Sequence, residues 1–432
     1  MLGSGSIIVV SYVIFTFKEK IMKKTVLKKY AKLIVEMGAA VKKGQEVTVV
    51  AELDQPEFVT MVVDAAYKAG ASKVTVDWRH QPLTKIHTRG RSLKTMSHVE
   101  DWEVAKLNRR VEVNPCMIHL VSEDPDGLNG INYKKLAKSS QARMKILKPI
   151  IDKLENKYQW VIAAVPGKAW AKKVFPNERP SRAVELLWEN ILKCARADGE
   201  DPIKAWQEHN RNLKQRCDYI NSLKLKKVNI KSSNGTDITV GLIPDAMFLG
   251  GAEEALGSGI IYNPNMPSEE VFITPKKGEA EGIVYSSKPF SYGGQVINSF
   301  YVRFENGKAV EVKAENDKQT DILKEMISMD EGASYLGEVA LVPYSSPINQ
   351  SGILFFNTLF DENAACHLAL GRGFSNCLKD YEKYSHEESK EMGINDSMIH
   401  EDFMIGTFDT EIVGITEDGK EIQIFKNGEW AF

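Results

Sequence analysis

Residues 47–78 read VTVVAELDQPEFVTMVVDAAYKAGASKVTVDW, and this stretch decides the fold. Val47 to Ala51 is an apolar, mostly β-branched run of the kind that forms a buried strand. Pro56 opens a helix over Pro56 to Ala69, where its fixed φ is already helical and its missing N–H is not needed; Gly70 closes it. Lys73 to Trp78 reads as a second strand. Strand, helix and strand of these lengths make a βαβ unit, with the two strands parallel and the helix on one face.

Working outward, Val26, Leu27, Tyr30, Ala31, Leu33 and Ile34 mark one face of a helix that closes near Gly38. Downstream, a strand at Cys116 to Val121, a helix through Ile131 to Leu147 and a strand at Trp160 to Val165 continue the alternation, so a parallel sheet covered by helices is expected up to about residue 165. Two bridging helices follow, Ser181 to Ala197 with Ser181 as cap, and Pro202 to Leu223 opened by Asp201. After Leu225 the texture changes to short strands and Gly, Asn and Pro turns. Val228 to Ser232 and Asp237 to Leu242 flank the hairpin signal Asn234-Gly235; Glu270 to Thr274, Phe300 to Glu305 and Ala309 to Ala314 follow. The expected fold is α/β, with an N-terminal α/β domain built on a mostly parallel sheet over 22–224, then a β-rich α+β domain over 225–432.

The chain has 432 residues, enough for two domains, with 56 Lys and Arg against 58 Asp and Glu, a net charge of −2 and 43% hydrophobic residues. This balance excludes a disordered chain, a fibrous repeat and a multi-span membrane protein, and it lacks the basic excess of a nucleic-acid binder. Five scattered cysteines without a CxxC pair point to a reducing, cytoplasmic setting. The apolar run Ile7 to Phe17 is too short to span a bilayer, and its basic residues follow it where a secretory signal has them first. Residues 1–21 therefore read as an extension without structural role, with a credible start at Met22 and no membrane partner.

No phosphate loop, nucleophile elbow or HExxH motif is present; His386-Glu-Glu-Ser-Lys390 lacks the second His and reads as a solvated charge run. The ligand types gather in the C-terminal third. In Met398-Ile-His-Glu-Asp-Phe-Met-Ile405, strand alternation puts His400, Asp402 and Met404 on one face. Such a pair suits a Zn, Mn or Co ion, or a simple His–Asp hydrogen bond. Leu359 to Gly371 looks like a helix from Asp361, with Asn363 and His367 one turn apart; His367 is then a buried ligand or a satisfied core histidine, and Glu362 a ligand or a favourable dipole charge. Glu338 and Glu270 lie inside apolar, strand-like runs, where a carboxylate is costly unless paired or bound to a cation. Together these residues can hold two divalent ions sharing a carboxylate and a water.

At these positions the chain resembles the metal-dependent aminopeptidases of the thermophilic type, peptidase family M29. The similarity rests on residues 235–241 (GTDITVG), 265–272 (NMPSEEVF), 337–342 (GEVALV), 357–365 (NTLFDENAA) with His367, 397–406 (SMIHEDFMIG), and 201–210 (DPIKAWQEHN) as a bridging helix. The resemblance implies removal of N-terminal amino acids from peptides by a homodimeric enzyme with two divalent ions per subunit, of Zn, Co or Mg. By the same carry-over, Glu270, Glu338, Glu362, His367, His400 and Asp402 are metal ligands. Glu338 is then also the bridging carboxylate and base, with Glu362 as a second acid–base group, in a mechanism where a bridging hydroxide attacks the scissile carbonyl. One departure stands out: Phe374 lies where the family pattern carries a tyrosine that stabilises the tetrahedral intermediate, and Phe cannot donate a hydrogen bond. Tyr381, Tyr384 or Arg372 are possible substitutes. The alternatives are a catalytically weak metal-binding homologue and a two-metal hydrolase of another amide.

Overall fold

A computed structural model of the chain describes residues 23–292 and 295–432. The reading of residues 1–21 lies outside them. The first helix, α1 (Lys24–Leu33), continues as a wider turn to Gly38. The expected βαβ unit follows as β1 (Glu46–Glu52), α2 (Pro56–Lys68) and β2 (Lys73–Arg79). Three helices then come that the strand–helix alternation does not announce: α3 (Gln81–Gly90), α4 (Leu93–Ser97) and α5 (Asp101–Val113). Of their residues Thr88 alone is buried, so local rules build them. One such rule is the capping box of α5, in which Glu100 and Glu103 each accept from the other's end of the first turn.

The alternation resumes with β3 (Cys116–Val121), α6 (Tyr133–Ile151) and β4 (Trp160–Ala164), then α7 (Lys168–Val174), α8 (Pro180–Cys194) and α9 (Pro202–Ser222). Pro180 takes the first turn of α8 with Arg179 before it, so Ser181 sits inside the helix and is not its cap. Asp201 does cap α9, its Oδ1 accepting from the Lys204 N–H at 3.1 Å.

The later strands are β5 (Leu225–Lys231), β6 (Asp237–Leu242), β7 (Glu253–Ala255), β8 (Ile260–Tyr262), β9 (Asn265–Met266), β10 (Val271–Ile273), β11 (Pro275–Tyr285), β12 (Phe290–Tyr292) and β13 (Gln295–Ile297). They continue with β14 (Phe300–Glu305), β15 (Lys308–Ala314), β16 (Leu336–Leu341), β17 (His367–Gly371), β18 (His400–Met404), β19 (Glu411–Thr416), β20 (Glu421–Lys426) and β21 (Glu429–Trp430). The N-terminal sheet is parallel throughout, in the order β2-β1-β3-β4-β9. Its fifth strand is borrowed from beyond residue 224, and its core takes in Met266, Phe355 and Phe360 beside Tyr30, Phe58 and Trp188. Most of the remaining strands form an eight-stranded antiparallel sheet, β15-β14-β11-β6-β5-β19-β20-β21, and a four-stranded one, β10-β16-β17-β18. A second core, including Ile230, Ile238, Phe304, Val339, Leu368 and Phe403, fills the space between these two. Among the described residues no helix is long and apolar enough to cross a membrane.

Candidate metal centre

The small sheet has one apolar and one polar face, and its register assigns every side chain to one of them. Glu338 on β16 lies opposite Ala369 on β17, which lies opposite Asp402 on β18. In the same way Ala340 pairs with His367, and Gly371 with His400. Residues directly opposite share a face, as do residues two apart, so Glu338, His367, His400 and Asp402 all project to one side. Phe272 pairs with Ala340, which puts Glu270, two residues back and just before β10, on that side too. The other side carries Val271, Val339, Leu368 and Phe403 into the second core. Small residues make the row possible: Ala369 separates Glu338 from Asp402, and a Cβ on Gly371, at φ +108°, would lie 2.1 Å from the Ile399 carbonyl oxygen.

Two groups of donors result. Glu270, Glu338 and His367 form one and Glu338, His400 and Asp402 the other; within each, the donor atoms lie within 4.8 Å of one another. His367 Nε2 is 3.3 Å from Glu270 Oε2, and His400 Nε2 is 3.1 Å from Glu338 Oε2 and 3.3 Å from Asp402 Oδ1. Each imidazole turns its Nδ1 to a backbone carbonyl, His367 to Ala365 at 3.1 Å and His400 to Arg372 at 2.6 Å. That contact fixes the ring and leaves Nε2 as the coordinating atom, the usual outer support of a metal-bound histidine.

Burial pushes the Glu338 carboxyl up to about 7, with Asp402 and Glu270 adding to the rise and His400 opposing it. Burial opposes charge on the histidines as well, yet the carboxylates beside them outweigh it, lifting His367 to about 10 and His400 to about 12. The cluster therefore demands positive charge. Protonated imidazoles supply it only by giving up their Nε2 lone pairs, whereas a divalent cation supplies it and uses them. Asp402 Oδ1, buried and without a hydrogen bond of sound geometry, adds an open donor. The donor set thus fits divalent ions bound through oxygen and imidazole nitrogen.

His367 is not on a helix. The stretch from Ala364 to Leu370 has helix-forming composition, but from His367 on it runs as an interior strand between β16 and β18, and tertiary pairing overrides propensity. Asn363 is accordingly not one turn from it on a shared face. Asn363 Oδ1 accepts from the Glu269 N–H at 2.6 Å and its Nδ2 donates to the Leu359 carbonyl at 3.0 Å, which braces the segment ahead of Glu270. The Glu269–Glu270 doublet splits: Glu269 is paired with Arg196, and Glu270 turns to the donors. Glu362 stands outside both donor groups. It lines the same cavity, and burial with the nearby Asp402 and Glu270 charges holds its carboxyl well above the usual range.

The cavity measures about 610 Å³ and is bounded by both halves of the chain, with Trp160 and Ile162 of β4 facing residues of the small sheet. Phe374 forms part of the wall, its ring 4.8 Å from that of His400 and 5.6 Å from that of Phe272. Of the three proposed substitutes, Arg372 lines this cavity, 3.3 Å from Glu155, whereas Tyr381 and Tyr384 line a neighbouring one of about 230 Å³. Sequence reasoning missed Glu253 and Trp160 as cavity residues, and Tyr262 as the partner behind Glu253. The signal for this hairpin was the Gly257-Ser-Gly259 turn ahead of the apolar run Ile260-Ile-Tyr262.

The profile of the family described as thermophilic metalloprotease (M29) matches residues 23–430. The chain belongs to this family. Aminopeptidase AmpS of Bacillus subtilis (strain 168) is 42% identical over 407 residues, 94% of this chain and 98% of that protein. Aminopeptidase 2 of Geobacillus stearothermophilus is 37% identical over the same shares. The solved structure of wild-type AmpT from Thermus thermophilus superposes with a TM-score of 0.86 at 34% identity, covering 95% of this chain and all of that one. This M29 protein is thus a metal-dependent aminopeptidase, a hydrolase, and its α/β region followed by a β-rich region is the architecture of the AmpT structure.

Proposed function

We propose that this M29 enzyme removes N-terminal residues from peptides at a centre of two divalent ions that share one carboxylate. The observation that carries the reading is that Glu338 belongs to both donor groups, with Glu270 and His367 on one side of it and His400 and Asp402 on the other. Glu270, Glu338, His367, His400 and Asp402 would hold the ions, which would supply Lewis acidity toward the scissile carbonyl and toward water. Glu338 holds the two positions together, so its oxygens are committed. Glu362 is the residue left to move a proton: its carboxyl oxygens take the proton from the attacking water and return it to the departing amine. Zn or Co suits the nitrogen and oxygen donors, with Mg the harder alternative. On this reading the enzyme works as a cytoplasmic homodimer, where its five buried thiols remain reduced.

The test is hydrolysis of leucyl-4-nitroanilide by metal-stripped protein, with Co, Zn, Mn or Mg added back and the N-acetylated substrate as control. Activity should require both a metal and a free amine. Equal cleavage of the acetylated substrate, or no cleavage by folded protein that binds metal, would sink the reading. One observation favours a second reading, a catalytically weak homologue: the residue against the His400 ring is Phe374, without a hydroxyl.

A further inference from the structure

Apart from the donor groups, the cavity wall holds one carboxylate whose surroundings are built to aim it. Glu253 on β7 lies opposite Tyr262 on β8 in the hairpin register. Tyr262 Oη donates to Glu253 Oε2 at 3.1 Å, and Trp160 from the parallel sheet packs against the phenol. The two aromatic rings meet at 6.4 Å. Two sheets therefore cooperate in orienting one carboxylate. Among the described residues no Lys, Arg or His pairs with it. The other wall carboxylates have employment: Glu155 meets Arg372, Glu270, Glu338 and Asp402 are donors, and Glu362 carries the proton. Burial, with the Glu270 charge adding, holds the Glu253 carboxyl above its usual value, so its charged form lacks a counter-charge. The same cavity is lined by apolar side chains as well, Trp160, Ile162 and Leu359 among them.

An oriented acid beside an apolar surface fits a guest with an aliphatic stem and a cationic tip. We propose that Glu253 selects peptides whose N-terminal residue is lysine or arginine, receiving the cationic tip while the apolar wall covers the stem. The inference rests on the aminopeptidase reading and extends it to the side chain removed. The peptide's own α-ammonium is the competing guest, and the two make opposite demands: an anchor for the α-ammonium serves every substrate equally, whereas a side-chain anchor serves only the basic ones.

The experiment compares kcat/KM for 4-nitroanilides of arginine against its neutral near-isostere citrulline, and of lysine against norleucine, with leucine as reference. Wild-type enzyme should favour the charged member of each pair by about tenfold or more, the scale of a cation meeting a buried carboxylate. In Glu253→Gln both ratios should collapse toward one, and Glu253→Asp should keep part of them. Wild-type enzyme that does not distinguish arginine from citrulline overturns the inference without any variant. Ratios that survive in Glu253→Gln, whatever happens to absolute rates, overturn it as well, and assign that residue to the α-amine or to the fold. Leucine turnover separates the two levels: if it is present and the ratios are flat, the side-chain inference alone falls. If every substrate is inert, the aminopeptidase reading falls and the inference with it.

Discussion

The parallel sheet and the small antiparallel sheet meet at one cavity, and they treat charge in opposite ways. In the parallel sheet the interior positions of β1 and β3 are apolar or Thr and His, and the acids sit at strand ends or on the edge strand, where Glu52 accepts the Gln81 N–H and the other two meet bases. Glu46 meets Arg109 and Lys73, and Asp77 meets Lys106 and Arg110. In the small sheet Glu338 and Asp402 occupy interior strand positions, with buried side chains and imidazoles for neighbours, and among the described residues no Lys or Arg pairs with them. An acid at a strand end is satisfied by a flexible base and water; an acid inside a strand must be met by something fixed. The difference separates scaffold from chemistry without appeal to any motif.

The sharpest way to break that contrast is to neutralise one acid of each kind. Glu338→Gln keeps the volume but removes the shared charge, and turnover of leucyl-4-nitroanilide should fall about a thousandfold or more. Calorimetric titration with Zn or Co should show the loss of at least one bound ion. Asp77→Asn, the matched change in the parallel sheet, should leave both readings where they were and cost about 1 kcal/mol or less of stability. If Glu338→Gln retained wild-type turnover, the small sheet would be scaffold as well.

A smaller effect is expected at the cavity wall. Phe374→Tyr adds a donor beside His400, and a preorganised donor to a developing oxyanion is worth about a hundredfold in kcat. The variant should gain turnover on that scale in steady-state assays at saturating metal. An unchanged kcat would mean that another wall donor, such as Arg372, already serves the oxyanion.

The same contrast governs what was legible in the sequence. Strands with a continuous apolar run or strict alternation were readable: Cys116–Val121 and Phe300–Glu305 fall where the pattern puts them, and so does the face shared by His400 and Asp402. Helices α3 to α5 were not, because they bury almost nothing, and apolar residues such as Leu83, Ile86 and Trp102 stay exposed rather than marking a core face. His367 was misread as helical because alanine and leucine favour a helix locally, while the strand it forms is imposed by β16 and β18, distant in sequence. The hairpin that carries Glu253 and Tyr262 uses strands of three residues, too short for alternation to show. The donors were approachable from sequence because their cost is local, an acid or imidazole in an apolar run. The cavity wall was not, since Trp160 joins it through the fold alone.

The smallest effect concerns the scaffold's own charges. Glu103 in α5 receives two nitrogens of Arg143, with Nη2 2.6 Å from Oε1, and its Oε2 also accepts the Glu100 N–H at 3.0 Å. The Arg143 hydrogen bond holds its carboxyl below the usual carboxylate range. A carboxyl depressed in the folded state stabilises it above the unfolded pKa, and that stabilisation is lost as the pH falls through the folded value. Glu103→Gln should therefore lower the unfolding free energy near pH 7 by about 1 kcal/mol or less, since solvent screens a pair with about a quarter of each side chain exposed. The gap between wild type and variant in urea melts should narrow as the pH falls below the ordinary glutamate value and close once it has passed the lower folded-state value, where both carry an uncharged side chain at this position. Aminopeptidase turnover at pH 7 should not change. A gap that persisted unchanged at pH 3 would mean that the side chain contributes through the shape of its capping box and not through its charge. The scaffold acids would then be structural in a stricter sense than their pairing with bases implies.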